Sequence, residues 1–596
     1  MFVAFTPGGA PSLQKSTKVK IADAVGRNAT WSREGRAVLC TPSQDRIDTA
    51  VTHSDEGLTA IHGDAYIREE PLDTALFRGV DDYGEINGEF AGVMVTEPGL
   101  RVVTDRLNLR QLFVYRSPKA FVAASSVRAV LAFLDDAGLL GTVSLNRTAI
   151  AEFLDSGHLL GTKTHFEGIE LLPGGTTLDV EIDDGEMSYS EDSYWQPEYG
   201  QYYETREEAV EAVADAIRSA VDLRIDSDLS IGVHLSGGMD SRLLLAAASE
   251  ETELTAYTFG VPYNDEAAIA RFLAKISGHD VVYDELEGGL ADYAKTGILL
   301  TDGHASIRHF HHIPTMDSLV GKCDRLFIGS CGDVVLGGSK LTESMFDGTF
   351  DAAKLHKETS QFDRELWKAA FGPVGGFDSA TVRSSFEDTF EGIDAPTTAN
   401  QSDIWNLQNR QQRFIFQAGP RSVNYYVPVS NPIVADSRVI NAWLRIPPRM
   451  RLEGIRPDLL STLDQKMAYV PIAGTWEPPA IPRIKYLTGG LRLAASSKRL
   501  RSSLPVVETT DPFGYPDYAE WLRIDEHLGT LVSTAVESFG ERAWAVADEL
   551  MGAYKSHQRG EADYHEELFM LTTLELWLEH VFEEYPELAI ESGESM

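Results

Sequence analysis

The stretch HLSGGMDSRLLL, residues 234–245, restricts the fold more than any other part of the chain. The apolar run LSIGVHL (229–235) enters it and an apolar, helix-spaced run leaves it, so it reads as strand, tight glycine turn and helix. Such a corner gathers backbone N–H groups and the positive end of a helix dipole at one point, which suits an oxyanion. Gly237 and Gly238 keep Cβ atoms out of the anion's way, and Ser236 and Ser241 add hydroxyl donors. Asp240 would repel a bare phosphate. It fits where a Mg2+ lies between, since that ion takes one or two carboxylates together with phosphate oxygens. The corner therefore points to a nucleoside triphosphate bound with Mg2+.

The surrounding pattern gives the organisation. Residues 1–190 carry short alternating runs such as LTAIHGDAYI (58–67), FAGVMVTEP (90–98) and LRVVTD (100–105), with two helical patches over 125–138 and 146–159, a sheet-rich α+β domain. The aromatic, polar stretch 191–204 is the expected linker. From Thr205, which with Glu208 forms a capping box, helix and strand patterns alternate as in a parallel sheet with crossover helices, an α/β domain over 205–510 that turns mostly helical beyond 340. Residues 511–596 read as an acidic helical extension, with charge runs such as HEEL and EEYPEL as solvated faces.

Length and charge narrow the class. A chain of 596 residues exceeds one core. Its 91 acidic against 52 basic residues give a formal net charge of −39, the surface of a cytoplasmic protein from a high-salt cell and an improbable one for nucleic acid. Three cysteines, Cys40, Cys323 and Cys331, build no disulfide framework and fit a reducing compartment. The first residues lack the order of a signal peptide, and no apolar run reaches the roughly 18 residues of a membrane span.

Taken in full, SGGMDS after an apolar strand resembles the PP-loop of ATP pyrophosphatases, and from about 205 to 500 the chain resembles the asparagine synthetase family. TFGVPYNDEAAIARFLAKISGH looks like that family's second strand and helix, TDGHASIRHFHHIP like the segment before its third core strand, and GSCGDVVLGG (329–338) like its second acidic corner. NPIVADSRVINAWLRIPPRMRL (431–452) and IPRIKYLTGG (481–490) follow in the family's order. The resemblance implies an ATP-binding set of Leu235, Ser236, Gly237, Gly238, Asp240, Ser241, Gly329 and the backbone of Thr258, Phe259 and Gly260, the last three holding adenine. It also implies Mg2+ shared by Asp240 and Asp333, with Lys485 stabilising charge on the phosphates. Arg308 is a candidate phosphate or substrate contact, because a guanidinium binds anions bidentately.

The front half resembles the family's glutaminase domain, an N-terminal-nucleophile sheet sandwich, through GDAYI (63–67), INGEFAGVMV (86–95) and VTDRLNLRQLFVY (103–115). Asn87, Gly88 and Asp105 then fall where glutamine and the oxyanion are held. Two departures matter. The glutaminase needs cysteine as residue 2, but residue 2 here is Phe and Cys40 lies mid-chain, so glutamine hydrolysis at the usual site is not expected. Ser330 stands where asparagine synthetases carry glutamate and β-lactam synthetases tyrosine, which bears on the acceptor.

Among the remaining candidates, His304, His309, His311 and His312 are read as packing and solvent-facing imidazoles rather than a metal site, and Cys331 as a small packing residue. The expected activity is an ATP-dependent amide-forming ligase, with a carboxylic acid and an amine or ammonia as partners and a homodimer as a compatible assembly. The alternatives are a ring-forming synthetase of the β-lactam synthetase kind and a non-catalytic ATP-binding scaffold.

Overall fold

The computed structural model describes residues 1–96, 99–248, 252–261, 264–286, 289–330, 332–336, 341–417, 419–475, 477–480 and 517–591. In the front half two antiparallel sheets face each other. One runs in the order Ile169–Leu171, Phe113–Arg116, Phe121–Ala124, Phe2–Phe5, Ala37–Thr41, Thr30–Glu34. The other includes Gly57–Ile67, Asn87–Thr96, Gly99–Thr104 and Thr176–Asp183. Period-two alternation decides which faces meet. Val3 and Phe5 join Leu39, Val93 and Val102 between the sheets, while Phe2 and Ala4 face the helix Val127–Asp136. The Phe2 ring packs edge-on against Trp31 and tilts against Phe133.

The second half is built on a five-stranded parallel sheet of β1 (Ile231–His234), β2 (Leu254–Gly260), β3 (Asp280–Glu285), β4 (Arg325–Ile328) and β5 (Val429–Ser430), in the order β3-β2-β1-β4-β5. The central β1 pairs Ile231 with Leu254 on one side and with Arg325 on the other. Helix α1 (Asp240–Ala247) follows β1, and α2 (Asp265–Ile276) follows β2. Half of the expected capping box opens helix Arg206–Asp222: Glu208 N–H donates to Thr205 Oγ1 at 3.1 Å, but the Glu208 carboxylate accepts from the Glu204 N–H at 3.1 Å instead of from Thr205. That helix buries Ala209, Val213 and Ile217 against the sheet.

Helices Glu526–Glu541, Ala547–Gln558 and His565–Glu584 do not stand apart as a solvated tail. They share one apolar cluster with Phe133 and Leu154 of the front half and with Phe310 and Trp367 of the second. The HEEL run is accordingly not a solvated face: Glu567 is 6 % exposed and accepts from the Asp363 N–H at 3.0 Å, and Glu566 pairs with Arg308. Among the described residues no helix is long and apolar enough to cross a membrane.

Candidate active site

Three consecutive features hold the β1–α1 corner. Ser236 N–H donates to Ser241 Oγ at 3.0 Å, the two hydroxyls lie 3.0 Å apart, and Gly238 N–H donates to Ser236 Oγ at 3.1 Å. Arg242, fully buried, reaches the other way and donates to the carbonyls of Gly237 at 3.0 Å, Val470 at 2.7 Å and Pro471 at 2.8 Å. Ala473 N–H also donates to the Gly237 carbonyl, at 3.0 Å. The turn is thus fastened to a segment more than two hundred residues downstream by a guanidinium inside its own motif.

The second corner, after β4, meets the first at contact distance. A Cβ on Gly329 would come within 2.5 Å of the Ser241 nitrogen, and one on Gly332 within 2.8 Å of the Asp240 carboxyl carbon. Only glycine permits that approach. Asp240 accepts from Arg456 Nη1 at 3.1 Å, and Arg456 stands at the start of helix Arg456–Leu463.

A cavity of about 440 Å³ opens where these elements converge. Leu235, Ser236, Gly238, Asp240 and Ser241 line it from the first corner, Thr258, Phe259 and Gly260 from the end of β2, and Gly329 from the end of β4. Gly237 turns its carbonyl to Arg242 and Ala473. Arg308 is not in the cavity's lining: its guanidinium pairs with Glu566 and donates to His309 Nε2 at 3.1 Å, because the C-terminal helices cover it. Asp333 sits in the short helix Gly332–Leu336 that begins at the second corner, with its side chain outside the described residues; Lys485 and Cys331 also lie outside them.

Several lining groups were not singled out from the sequence. Glu266, near the start of α2, projects here, and burial with neighbouring Asp265 pushes its carboxyl up to about 7. Arg456 and Gln417 arrive from distant helices. Of the four crowded histidines, His309, His311 and His312 line the cavity, joined by His234 from β1. Burial lowers His234 to about 4 and His312 to about 3, so these rings are neutral near pH 7. His234 stacks on Phe259, with ring centroids 5.2 Å apart, and Tyr518 O–H meets His311 Nδ1 at 2.8 Å. His304 is instead buried against His165. Among the described residues no three histidine, cysteine or acidic side chains form a metal-holding group.

In the front half the three glutamine-pocket candidates serve other contacts. Asn87 donates to Asp436 at 2.9 Å and accepts from the Ser437 N–H at 2.7 Å, tying the two halves together. Gly88 takes a left-handed φ of 116°, and a Cβ there would meet the Asp64 carbonyl. Asp105 accepts backbone N–H groups of Phe90, Leu107, Leu109 and Arg110, yet burial still pushes its carboxyl up to about 6. None of the three lines the small cavity, about 30 Å³, beside the Met1 amino group. That amino group donates to Ser125 Oγ at 2.9 Å, and burial lowers it to about 4. Cys40 is wholly buried, and burial pushes its thiol up to about 12, so it is held protonated near pH 7.

Residues 212–370, which carry both corners, match the family model described as asparagine synthase. The chain is similar to a putative asparagine synthetase [glutamine-hydrolyzing] 2 of Methanocaldococcus jannaschii, 24 % identical over 31 % of this chain and 36 % of that protein. It is 25 % identical to asparagine synthetase [glutamine-hydrolyzing] 3 of Bacillus subtilis over 31 % of this chain and 30 % of the relative. Amidase chry2 of Gibberella zeae is 25 % identical over 34 % and 32 %. The aligned stretch spans about a third of each relative's length. Among solved structures, the glutamine phosphoribosylpyrophosphate amidotransferase from B. subtilis complexed with ADP and GMP aligns over 48 % of this chain and 65 % of its own at 10 % identity and a TM-score of 0.20. Over residues 212–370, the stretch that carries both corners, the chain is thus similar to the asparagine synthase family.

Proposed function

We propose that the protein is an ATP-dependent carbon–nitrogen ligase that activates a carboxylic acid as an acyl-adenylate. The acceptor carboxylate attacks the α-phosphorus of ATP, the α–β bridge breaks, and pyrophosphate leaves. Ammonia or a substrate amine then attacks the acyl carbon, AMP departs, and the amine loses its proton to a base.

The observation that carries this reading is the meeting of two loops in one cavity, Gly332 against the Asp240 carboxylate and Gly329 against the Ser241 amide. The hydroxyls of Ser236 and Ser241 and the amides of the first turn would orient phosphate oxygens, and the Thr258–Gly260 backbone would take the base. Asp240 supplies a half-buried carboxylate of the kind Mg2+ accepts, with Asp333 as the second proposed ligand. Bound there, the ion would draw charge from phosphate oxygens during adenylation and pyrophosphate departure. Arg456, already at Asp240, has donors for the same phosphates.

The nitrogen source is better supported as ammonia or an amine than as glutamine, since the front half's one cysteine, Cys40, is wholly buried with its thiol held protonated. A carboxylate already neutralised by Arg456 favours a second reading, a nucleotide-binding scaffold. Pyrophosphate release with MgATP, ammonium and a panel of carboxylic acids separates the two. Dependence on one acid supports the ligase and names its substrate; tight ATP binding with no release across the panel favours the scaffold.

A further inference from the structure

A second cavity, about 470 Å³, lies at the junction of the two halves and belongs to nothing described so far. Its volume falls within the range of small-molecule sites. It sits at the far end of helix Gln412–Gln417 from the nucleotide cavity: Gln417 lines the first and Gln412 the second. The chain entering that helix makes a π-helical turn over Leu407–Gln411, a geometry that recurs at functional sites.

The lining has a definite chemistry. Gln412 is only 7 % exposed, yet its side-chain amide bonds to no described residue while its backbone carbonyl accepts from Gln111. Its amide oxygen and nitrogen open onto the cavity, where a ligand can meet both. Arg106 lines the same space with its Nε–H unpartnered, its two terminal nitrogens being spent on the carbonyls of Gly84 and Ile86. Gln196, Gln408 and Trp195 also line it. Both charged groups of the lining are compensated by other protein groups, Arg106 by nearby Asp105, Asp436 and Asp82 and Glu191 by Arg116.

We propose that this cavity binds a small neutral molecule rich in hydroxyl and amide groups, a monosaccharide-sized polyol or amino-sugar derivative. Side-chain amides donate and accept at once, as hydroxyl groups do, so the two pair without a charge on either side. An indole face offers apolar cover for the C–H side of such a ring. With each charge compensated by the protein, the lining favours a neutral ligand, to which the Arg106 Nε–H can donate.

N-acetylglucosamine, which carries hydroxyls and an amide, is the probe, used with the full-length protein and read by thermal unfolding and calorimetry. A saturable rise in Tm is expected, with affinity about tenfold weaker in Gln412→Leu. Gln408→Ala, at an exposed position, guards against a folding defect and should weaken binding less. Asp240→Asn, in the other cavity, should bind the probe as wild type does. Absence of a saturable shift in the wild-type protein, undiminished binding in Gln412→Leu, or tighter binding of glucuronate than of N-acetylglucosamine would each overturn the proposal.

Discussion

Gly329 shows how much of the site rests on a missing methyl group. Its Cα lies so near the start of α1 that an alanine Cβ would stand 2.5 Å from the Ser241 nitrogen. That contact is with backbone, which has no rotamer to yield. Gly329→Ala is therefore expected to cost about 1–3 kcal/mol of stability in urea unfolding, the usual penalty of overpacking. It should also displace the second corner from Asp240 and lower ATP affinity. At this scale the sequence was readable for SGGMDS, where residue types state their chemistry, and unreadable for Arg456 and Glu266. An arginine in IRPDLL and a glutamate in YNDEAA look like ordinary helix starts, and only the fold brings them to Asp240 and to the cavity.

The C-terminal helices act on the site through contacts that composition hides. Tyr518 O–H holds His311 at 2.8 Å, Glu566 holds Arg308, and the Ile307 N–H donates to Thr573 Oγ1 at 2.9 Å, so the segment 307–311 behind the imidazole wall is braced from outside. Tyr518→Phe removes one hydrogen bond, worth about 0.5–1.5 kcal/mol. The expected result is a severalfold rise in KM for ATP with kcat little changed, measured by steady-state kinetics once the acceptor acid is known. Glu567 in the same bundle offers a pH test. Burial pushes its carboxyl up to about 7 from an ordinary value near 4.5. The folded state then holds a proton that the unfolded chain has lost, so Glu567's contribution to stability is complete below about pH 4.5 and disappears as pH rises to about 7. Glu567→Gln, which stays neutral, should gain on wild type across that window by up to about 3 kcal/mol, seen in urea unfolding at pH 5 and pH 7.5. The acidic spelling of HEEL suggested a solvated face; period 3.6 in a helix buried on nearly every side leaves no polar stripe to read.

For the whole molecule, a net charge of −39 makes the folded chain self-repulsive in dilute buffer. Raising KCl from about 0.1 M to about 1 M shortens the Debye length from roughly 10 Å to 3 Å, and a higher Tm is the expected outcome. The parallel sheet is legible in the sequence through strand rhythm, because β1 and β2 are apolar runs bounded by glycine and helix signals. The joining of the halves was not legible. Asn87 spends its amide on Asp436 and Ser437, some 350 residues away, and no local pattern encodes such a partner. Of the residues assigned from the glutaminase-like landmarks, Asn87, Gly88 and Asp105, none borders the space at Met1.

Calorimetric titration of ATP into wild-type protein and Asp240→Asn, each with Mg2+ and with EDTA, tests the phosphate-and-metal corner most directly. The substitution is expected to weaken ATP binding at least about tenfold with Mg2+ present, to leave it nearly unchanged in EDTA, and not to alter the unfolding transition. Equal affinity of the two proteins for MgATP would contradict it.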